Sequence, residues 1–215
     1  HGLYAERKQI KQNMLKLQGQ VEAGDAAAEK DIAKLDNQQM AIKIMMNSLY
    51  GALANRWFRY YDIRMAEAIT LSGQLSIRWA ERAVNDYMNK IVGTDNFDYV
   101  VAMDTDSLYV NFGLLVEKMG LTDTAQTVKL LDQIGKDKFV PLFTKSYEDL
   151  ATYMHAYDNK MVMGREAIAD NGIWTAKKRY ILNVHNNEGV QYAKPKLKIM
   201  GIEAVKSSTP ASCRD

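Results

Sequence analysis

The hydrophobic pattern of this chain changes character once, near residue 99, and that change narrows the folds open to it. Up to about residue 91 the spacing is helical. Residues 4–18 contain neither glycine nor proline and read as a first helix, which Gly19 to Asp25 then interrupts. Asp25 is a suitable N-cap for a second helix that begins in Ala26-Ala27-Ala28 and runs through Ile32, Leu35 and Ile42 toward Tyr50. Two antiparallel helices joined by a short glycine-containing turn are the simplest arrangement. A third helix is predicted over residues 62–91, carrying Ile69, Ile77, Trp79 and Val84 and free of proline.

Beyond that point the runs shorten. Tyr99 to Met103 is a short apolar run, followed by Asp104-Thr105-Asp106-Ser107 and then by Leu108 to Phe112, so two strands are expected around an acidic turn. Helices are expected over 124–134 and 141–154. From Met161 onward the chain reads as β-rich, with Tyr180 to Val184, a turn at Asn186-Asn187-Glu188-Gly189, and Val190 to Ala193. There is no internal repeat and no low-complexity linker. The fold class is therefore α+β: an antiparallel sheet with packed helices, preceded by a helical hairpin at the N-terminal end.

Composition sets limits on function. With 47% hydrophobic and 25% charged residues over 215 positions, the chain can bury a sizeable core and carries no signature of disorder. Cys213 is the single cysteine, which excludes an internal disulfide framework or a cysteine-based zinc site and fits a reducing compartment. No apolar run approaches membrane-spanning length, and the N-terminus is not a signal peptide. The chain begins at His1 where a complete gene product begins with Met, so a fragment is expected. Its net charge of +2 is too small to announce a nucleic-acid binder, but the distribution is informative. Between Lys177 and Lys206 there are seven basic residues against Glu188 and Glu203, and Arg7, Lys8, Lys11 and Lys16 cluster near Glu6. Two separated basic clusters point to local anionic contacts, with solvated faces as the alternative.

Asp104 and Asp106 are two apart, and in extended backbone alternate side chains share a face. Close carboxylates repel unless a cation lies between them, and oxygen ligands of this kind suit Mg²⁺. Two such ions about 3.5–4 Å apart are the apparatus of nucleotidyl transfer. A plain polar hairpin tip is the competing reading, since Asp, Thr and Ser favour turns. Lys43, Asn47 and Tyr50 stand at offsets of zero, four and seven, which places a cation, an amide and an aromatic ring on one helix face. Arg7 and Lys11 share a face of the first helix in the same way. If the two helices pair, three cations converge there.

Three motifs in order give these residues a family. Lys43-Ile-Met-Met-Asn47-Ser48-Leu-Tyr50-Gly51 matches K-x-x-x-N-S-x-Y-G, Asp104-Thr105-Asp106-Ser107 matches D-T-D-S, and Lys177-Lys178-Arg179-Tyr180 matches K-K-R-Y. The chain thereby resembles family B DNA polymerases. Phe58-Arg59-Tyr60-Tyr61-Asp62, Arg165-Glu166-Ala167-Ile168, Leu197-Lys198-Ile199-Met200-Gly201 and Ser207-Ser208-Thr209-Pro210 look like the T-even-type bacteriophage enzymes.

The resemblance implies fingers helices over 1–55, the C-terminal part of the palm over 56–201, and the start of a thumb over 202–215. It implies Arg7, Lys11 and Lys43 as cations that grip an incoming deoxynucleoside triphosphate, with Asn47 and Tyr50 beside them, and Gly51 with Tyr50 under the nascent base pair. Asp106 would be the metal-binding aspartate and Asp104 its less directly ligating neighbour, together the catalytic pair. Lys178, Arg179, Tyr180 and Lys206 would meet primer–template DNA. Mg²⁺ is the implied cofactor. The implied partners are DNA, nucleotides, the remaining polymerase segments (exonuclease, upstream palm and thumb) and a sliding clamp, with no membrane. The implied location is the cytoplasm of an infected bacterial host.

The sequence also departs from the family pattern. The first palm motif, an aspartate followed by S-L-Y-P, is absent, and with it the other metal-bridging carboxylate, so efficient synthesis by this chain alone is not expected. No exonuclease motif is present. Gly164 stands where an acidic residue is expected two positions before Glu166, and the segment between Ile168 and Lys177 is short. Residues 211–215 do not continue the pattern, and an engineered end, a natural split point and an intein beginning at Cys213 all remain open. Trp57, Trp79 and Trp174 are expected to be packing residues, and neither His155 nor His185 receives a role. The alternative function is a non-catalytic nucleic-acid-binding or assembly module derived from a polymerase.

Overall fold

A computed structural model of the chain describes residues 2–23 and 28–213. Asp25, the expected helix cap, lies outside the described residues, as do Ala26 and Ala27. The chain forms two compact units, His1–Ser72 with Val190–Ala193, and Gly73–Gly189 with Lys194–Asp215.

In the first unit, α1 (Gly2–Glu22) and α2 (Glu29–Leu53) pack along each other. α1 is longer than predicted, and Gly19 continues it instead of breaking it. A glycine inside a helix costs about 1 kcal/mol relative to alanine, and burial of Met14 on α1 and Ile42 on α2 offsets that locally unfavourable residue. The far end of α1 is tied down where the Glu22 carboxylate accepts the Ala193 amide at 3.1 Å. After α2 the chain turns back, and the Asp62 amide donates to the Leu53 carbonyl at 3.1 Å. The Asp62 carboxylate then caps the next helix by accepting the Arg64 amide at 3.0 Å and the Arg64 guanidinium at 2.9 Å. Those contacts, the guanidinium first, hold the Asp62 carboxyl below the usual carboxylate range. Trp57 in this connection is 94% exposed, so it is not the packing residue its size leads one to expect.

α3 (Ile63–Val92) runs on into the second unit, where Ile77, Ala80, Val84, Met88 and Val92 form a buried stripe at spacings of three and four. Tyr99, Leu115, Phe139, Phe143, Tyr147 and Leu150 complete that core. Phe139 is its hub, edge-on to Tyr87 at 5.6 Å and to Phe112 at 5.3 Å. Two asparagines of α3 fasten the next segment. Asn85 Oδ1 accepts the Tyr99 amide at 2.9 Å, and Asn89 Oδ1 accepts the Phe97 amide at 3.0 Å. The expected hairpin follows as β1 (Val100–Asp104) and β2 (Ser107–Val110), antiparallel, with Asp104 opposite Ser107.

A short helix α4 (Gly113–Lys118), not foreseen from the pattern, precedes α5 (Thr124–Ile134). α5 begins where predicted because Asp123 caps it, accepting the Gln126 amide at 3.0 Å. A π-helical turn, Gly135–Phe139, joins α5 to α6 (Val140–Tyr153). The β-rich end forms a three-stranded sheet in the order β3 (Ala167–Ala176), β4 (Arg179–Asn187), β5 (Val190–Met200). β4 alternates strictly, burying Tyr180, Leu182, Val184 and Asn186. Arg165 joins α5 to this sheet, pairing with Asp132 and donating to Asn186 Oδ1 at 2.7 Å. Trp79 packs on Tyr153 with ring centroids 5.6 Å apart.

Candidate functional site

The acidic residues stand at a tight two-residue turn. Thr105 adopts φ 54°, in the left-handed region, and the Asp106 amide donates to the Asp104 carbonyl at 2.6 Å. The two carboxylates are therefore presented by the turn, and strand alternation does not govern them. Asp104 is half-buried and accepts the Thr105 hydroxyl at 3.0 Å. Asp106 is exposed, with the Ser107 hydroxyl at 3.5 Å. A non-glycine residue in the left-handed region carries about 1 kcal/mol of strain, a feature that clusters at functional sites.

A second turn meets this one. β3 reverses into β4 through Lys177 and Lys178, with Lys178 at φ 64°, and the Lys178 ammonium reaches to 4.0 Å from Asp104 Oδ1. The short segment between Ile168 and Lys177 thus consists of β3 leading directly into its turn. Aromatic packing holds the two hairpins together. Tyr109 of β2 lies edge-on to Trp174 at 5.3 Å and to Tyr180 at 5.4 Å. Burial, followed by the hydrogen bond with Tyr180 and the Glu166 and Asp104 charges, pushes the Tyr109 phenol well above its ordinary value. Its proton is retained across the physiological range, which keeps the ring a neutral packing element beneath the acidic turn.

Arg179 and Lys206, two further cations of this unit, are paired. Arg179 Nη2 lies 2.8 Å from Glu203 Oε1, and Lys206 Nζ is 3.6 Å from the same oxygen. Gly201 makes this layout possible. It has φ 66°, and a Cβ on it would stand 2.1 Å from the Lys178 carbonyl oxygen. Glu166 Oε1 takes Lys198 Nζ at 3.0 Å. His185 Nε2 lies 3.2 Å from Asp170 Oδ2; burial raises the Asp170 carboxyl, but that close approach and the hydrogen bond from Asn183 outweigh it and hold Asp170 below the usual carboxylate range. Among the described residues, no group of three or more His, Cys, Asp and Glu is gathered to hold a metal ion. A hard divalent cation still suits the acidic turn, because its donors are carboxylate oxygens with open access to water.

The helical unit carries the other residues. Arg7 Nε donates to Gln39 Oε1 at 3.2 Å, which sets these two at about the same level on α1 and α2. In an antiparallel pair Lys11 then lies about 6 Å toward the connection and Lys43 about 6 Å away from it. The three cations therefore line the hairpin in sequence. Lys43, Asn47, Tyr50 and Gly51 are all exposed, and the first three share a face of α2. Ile44, Met45 and Leu49 are exposed apolar neighbours. The sequence reading missed Gln39, Tyr109 and Glu203. Gln39 and Glu203 fall at helical or turn positions with no local signal, while the alternation of β2 was a weak pointer to Tyr109.

The helical hairpin and the acidic β-turn are the two features that carry the family motifs. The family model for DNA polymerase family B matches residues 1–209, and the chain belongs to that family. It is 45% identical over 183 residues to the DNA-directed DNA polymerase of Escherichia phage RB69, covering 80% of this chain and 20% of that protein. To the DNA-directed DNA polymerase of Enterobacteria phage T4 it is 43% identical over 198 residues, covering 87% of this chain and 22% of that protein. The DNA polymerase alpha catalytic subunit of Dictyostelium discoideum is more distant, 29% identical over 128 residues that make up 60% of this chain and 7% of that protein. The chain spans about a fifth of the length of the phage relatives it matches. Among the described residues, no helix is long and apolar enough to cross a membrane.

Proposed function

We propose that this chain carries the nucleotide-gripping fingers (1–55) and the acidic part of the palm (56–201) of a phage replicative DNA polymerase, with the thumb beginning at 202–215. The reaction is template-directed extension of a primer. The 3′-hydroxyl attacks the α-phosphate of a deoxynucleoside triphosphate, the new phosphodiester bond forms, and pyrophosphate leaves. The observation that carries this reading is the approach of Lys178 to Asp104 at 4.0 Å, which unites two family motifs distant in sequence.

Each residue has a task in that reading. Arg7, Lys11 and Lys43, strung along the hairpin, compensate successive phosphates of the triphosphate, and Gln39 fixes the Arg7 guanidinium for it. Asn47 and Tyr50 continue the same face toward the sugar and base, and Gly51 leaves the nascent pair room. Asp106 and Asp104 offer oxygens for Mg²⁺, which when bound supplies charge compensation at the reacting phosphate. A further carboxylate from outside these residues completes the coordination. Lys178, Arg179 and Lys206 meet the primer–template backbone, and Tyr180 braces them from beneath through Tyr109. The partners are DNA, nucleotides, the other polymerase segments and a sliding clamp, in the cytoplasm of an infected bacterium.

The test is primer extension with Mg²⁺ and all four nucleotides, by the chain alone and mixed with a polypeptide supplying the upstream palm and the thumb. Extension in the mixture alone is expected. No extension in a well-folded mixture would favour a non-catalytic binding module, and extension by the chain alone would mean that the second metal ligand lies within it.

A further inference from the structure

Glu203 is one of just two acidic residues between Lys177 and Lys206, and its placement is specific. One carboxylate oxygen, Oε1, serves both the Arg179 guanidinium at 2.8 Å and the Lys206 ammonium at 3.6 Å. A short 3₁₀ turn, Glu203–Val205, presents it. Gly201, pressed on the Lys178 carbonyl and near Arg179 Cγ, brings that turn level with the start of β4. All three side chains are open to water, with Glu203 58% exposed, so the pairs can exchange without unfolding.

An oxygen shared by two cations is also what a backbone phosphate offers. We propose that Glu203 is an internal stand-in for a duplex phosphate: it holds Arg179 and Lys206 while DNA is away, and must be displaced when DNA binds. This rests on the reading of Arg179 and Lys206 as duplex contacts. Glu203 thereby sets duplex affinity without touching the reacting atoms. It keeps two long cationic side chains near their working positions, and it competes with the phosphate for them. Exposed ion pairs are weak, so the competition lowers affinity and does not block binding. A displaced carboxylate also takes up a cation from solution, which offsets part of the counterion release that drives DNA binding.

The experiment is fluorescence anisotropy of a labelled primer–template duplex with the 215-residue chain and its Glu203→Gln form across a salt series. Glu203→Gln is expected to bind about three- to tenfold more tightly at ~50 mM salt. Its affinity should also fall more steeply with salt. A Glu203→Asp form, which keeps the charge, should behave like the unaltered chain. In a background of Arg179→Ala with Lys206→Ala the gain should vanish. Unchanged or weaker binding by Glu203→Gln, with Arg179→Ala and Lys206→Ala still weakening the unaltered chain, would overturn the competitor role alone. If removing both cations leaves duplex binding unchanged, or no form binds duplex, the duplex-contact reading itself fails.

Discussion

Lys178 Nζ stands 4.0 Å from Asp104 Oδ1, and at that point the β3–β4 turn meets the β1–β2 turn. The pair sets a cation, which in the proposed reading meets a DNA phosphate, beside a carboxylate of the acidic turn. Replacing Lys178 by Ala is expected to weaken primer–template binding for all sequences alike and to reduce the salt dependence of log Kd by about one. A salt titration of duplex binding checks this. A sequence-dependent loss, or an unaltered salt slope, would contradict a phosphate contact.

Asp106 stands at the same turn and is exposed, with the Ser107 hydroxyl 3.5 Å away; in the proposed reading its carboxylate is a metal ligand. Asp106→Asn keeps the shape and removes the charge. Complemented primer extension should be abolished, while duplex affinity stays within about twofold, since no phosphate-binding cation is touched. Undiminished extension by this variant would remove Asp106 from the metal site.

Gly201 is required by two independent features, φ 66° and the Lys178 carbonyl oxygen that would lie 2.1 Å from any Cβ. The obstacle is backbone, which cannot rotate aside as a side-chain tip can. Gly201→Ala should destabilise the chain by about 1–3 kcal/mol in urea unfolding. It should also weaken duplex binding, because the Lys178 turn must shift. Unaltered stability would show that the turn relaxes freely.

Asp132 links α5 to the sheet through Arg165 and also pairs with Lys136 at 2.6 Å. Burial by itself raises the Asp132 pKa, but the Lys136 hydrogen bond and the Arg165 charge outweigh it, so the folded value lies below the ordinary 3.8 of an aspartate. The sign follows. The group stabilises the fold fully above its unfolded pKa, and this contribution is lost as pH falls through the lower folded value. Asp132→Asn should cost about 1–3 kcal/mol at neutral pH, because Arg165 is left partly buried without its charge partner. The gap between variant and parent unfolding midpoints should narrow as pH falls from 7 to below 3.8. A gap independent of pH would assign the loss to packing.

Local periodicity and capping chemistry made much of this chain legible beforehand. The α5 bounds at Thr124 and Ile134 follow from an aspartate cap and an apolar stripe, and the acidic turn follows from two apolar runs around Asp104 to Ser107. Such signals act between residues a few positions apart, so the order of residues along the chain preserves them without any tertiary contact. Tertiary structure decided the rest. Gly19 stays helical because α1 lies on α2, while Trp57 is left in solvent although its size favours burial. The meeting of Lys178 with Asp104, the sharing of Glu203 by Arg179 and Lys206, and the contact of Gly201 with the Lys178 carbonyl join residues from different elements. Those contacts depend on how β-hairpins and turns stack around Tyr109, Trp174 and Tyr180, and long-range packing of that kind leaves no periodic trace in the residues that it brings together.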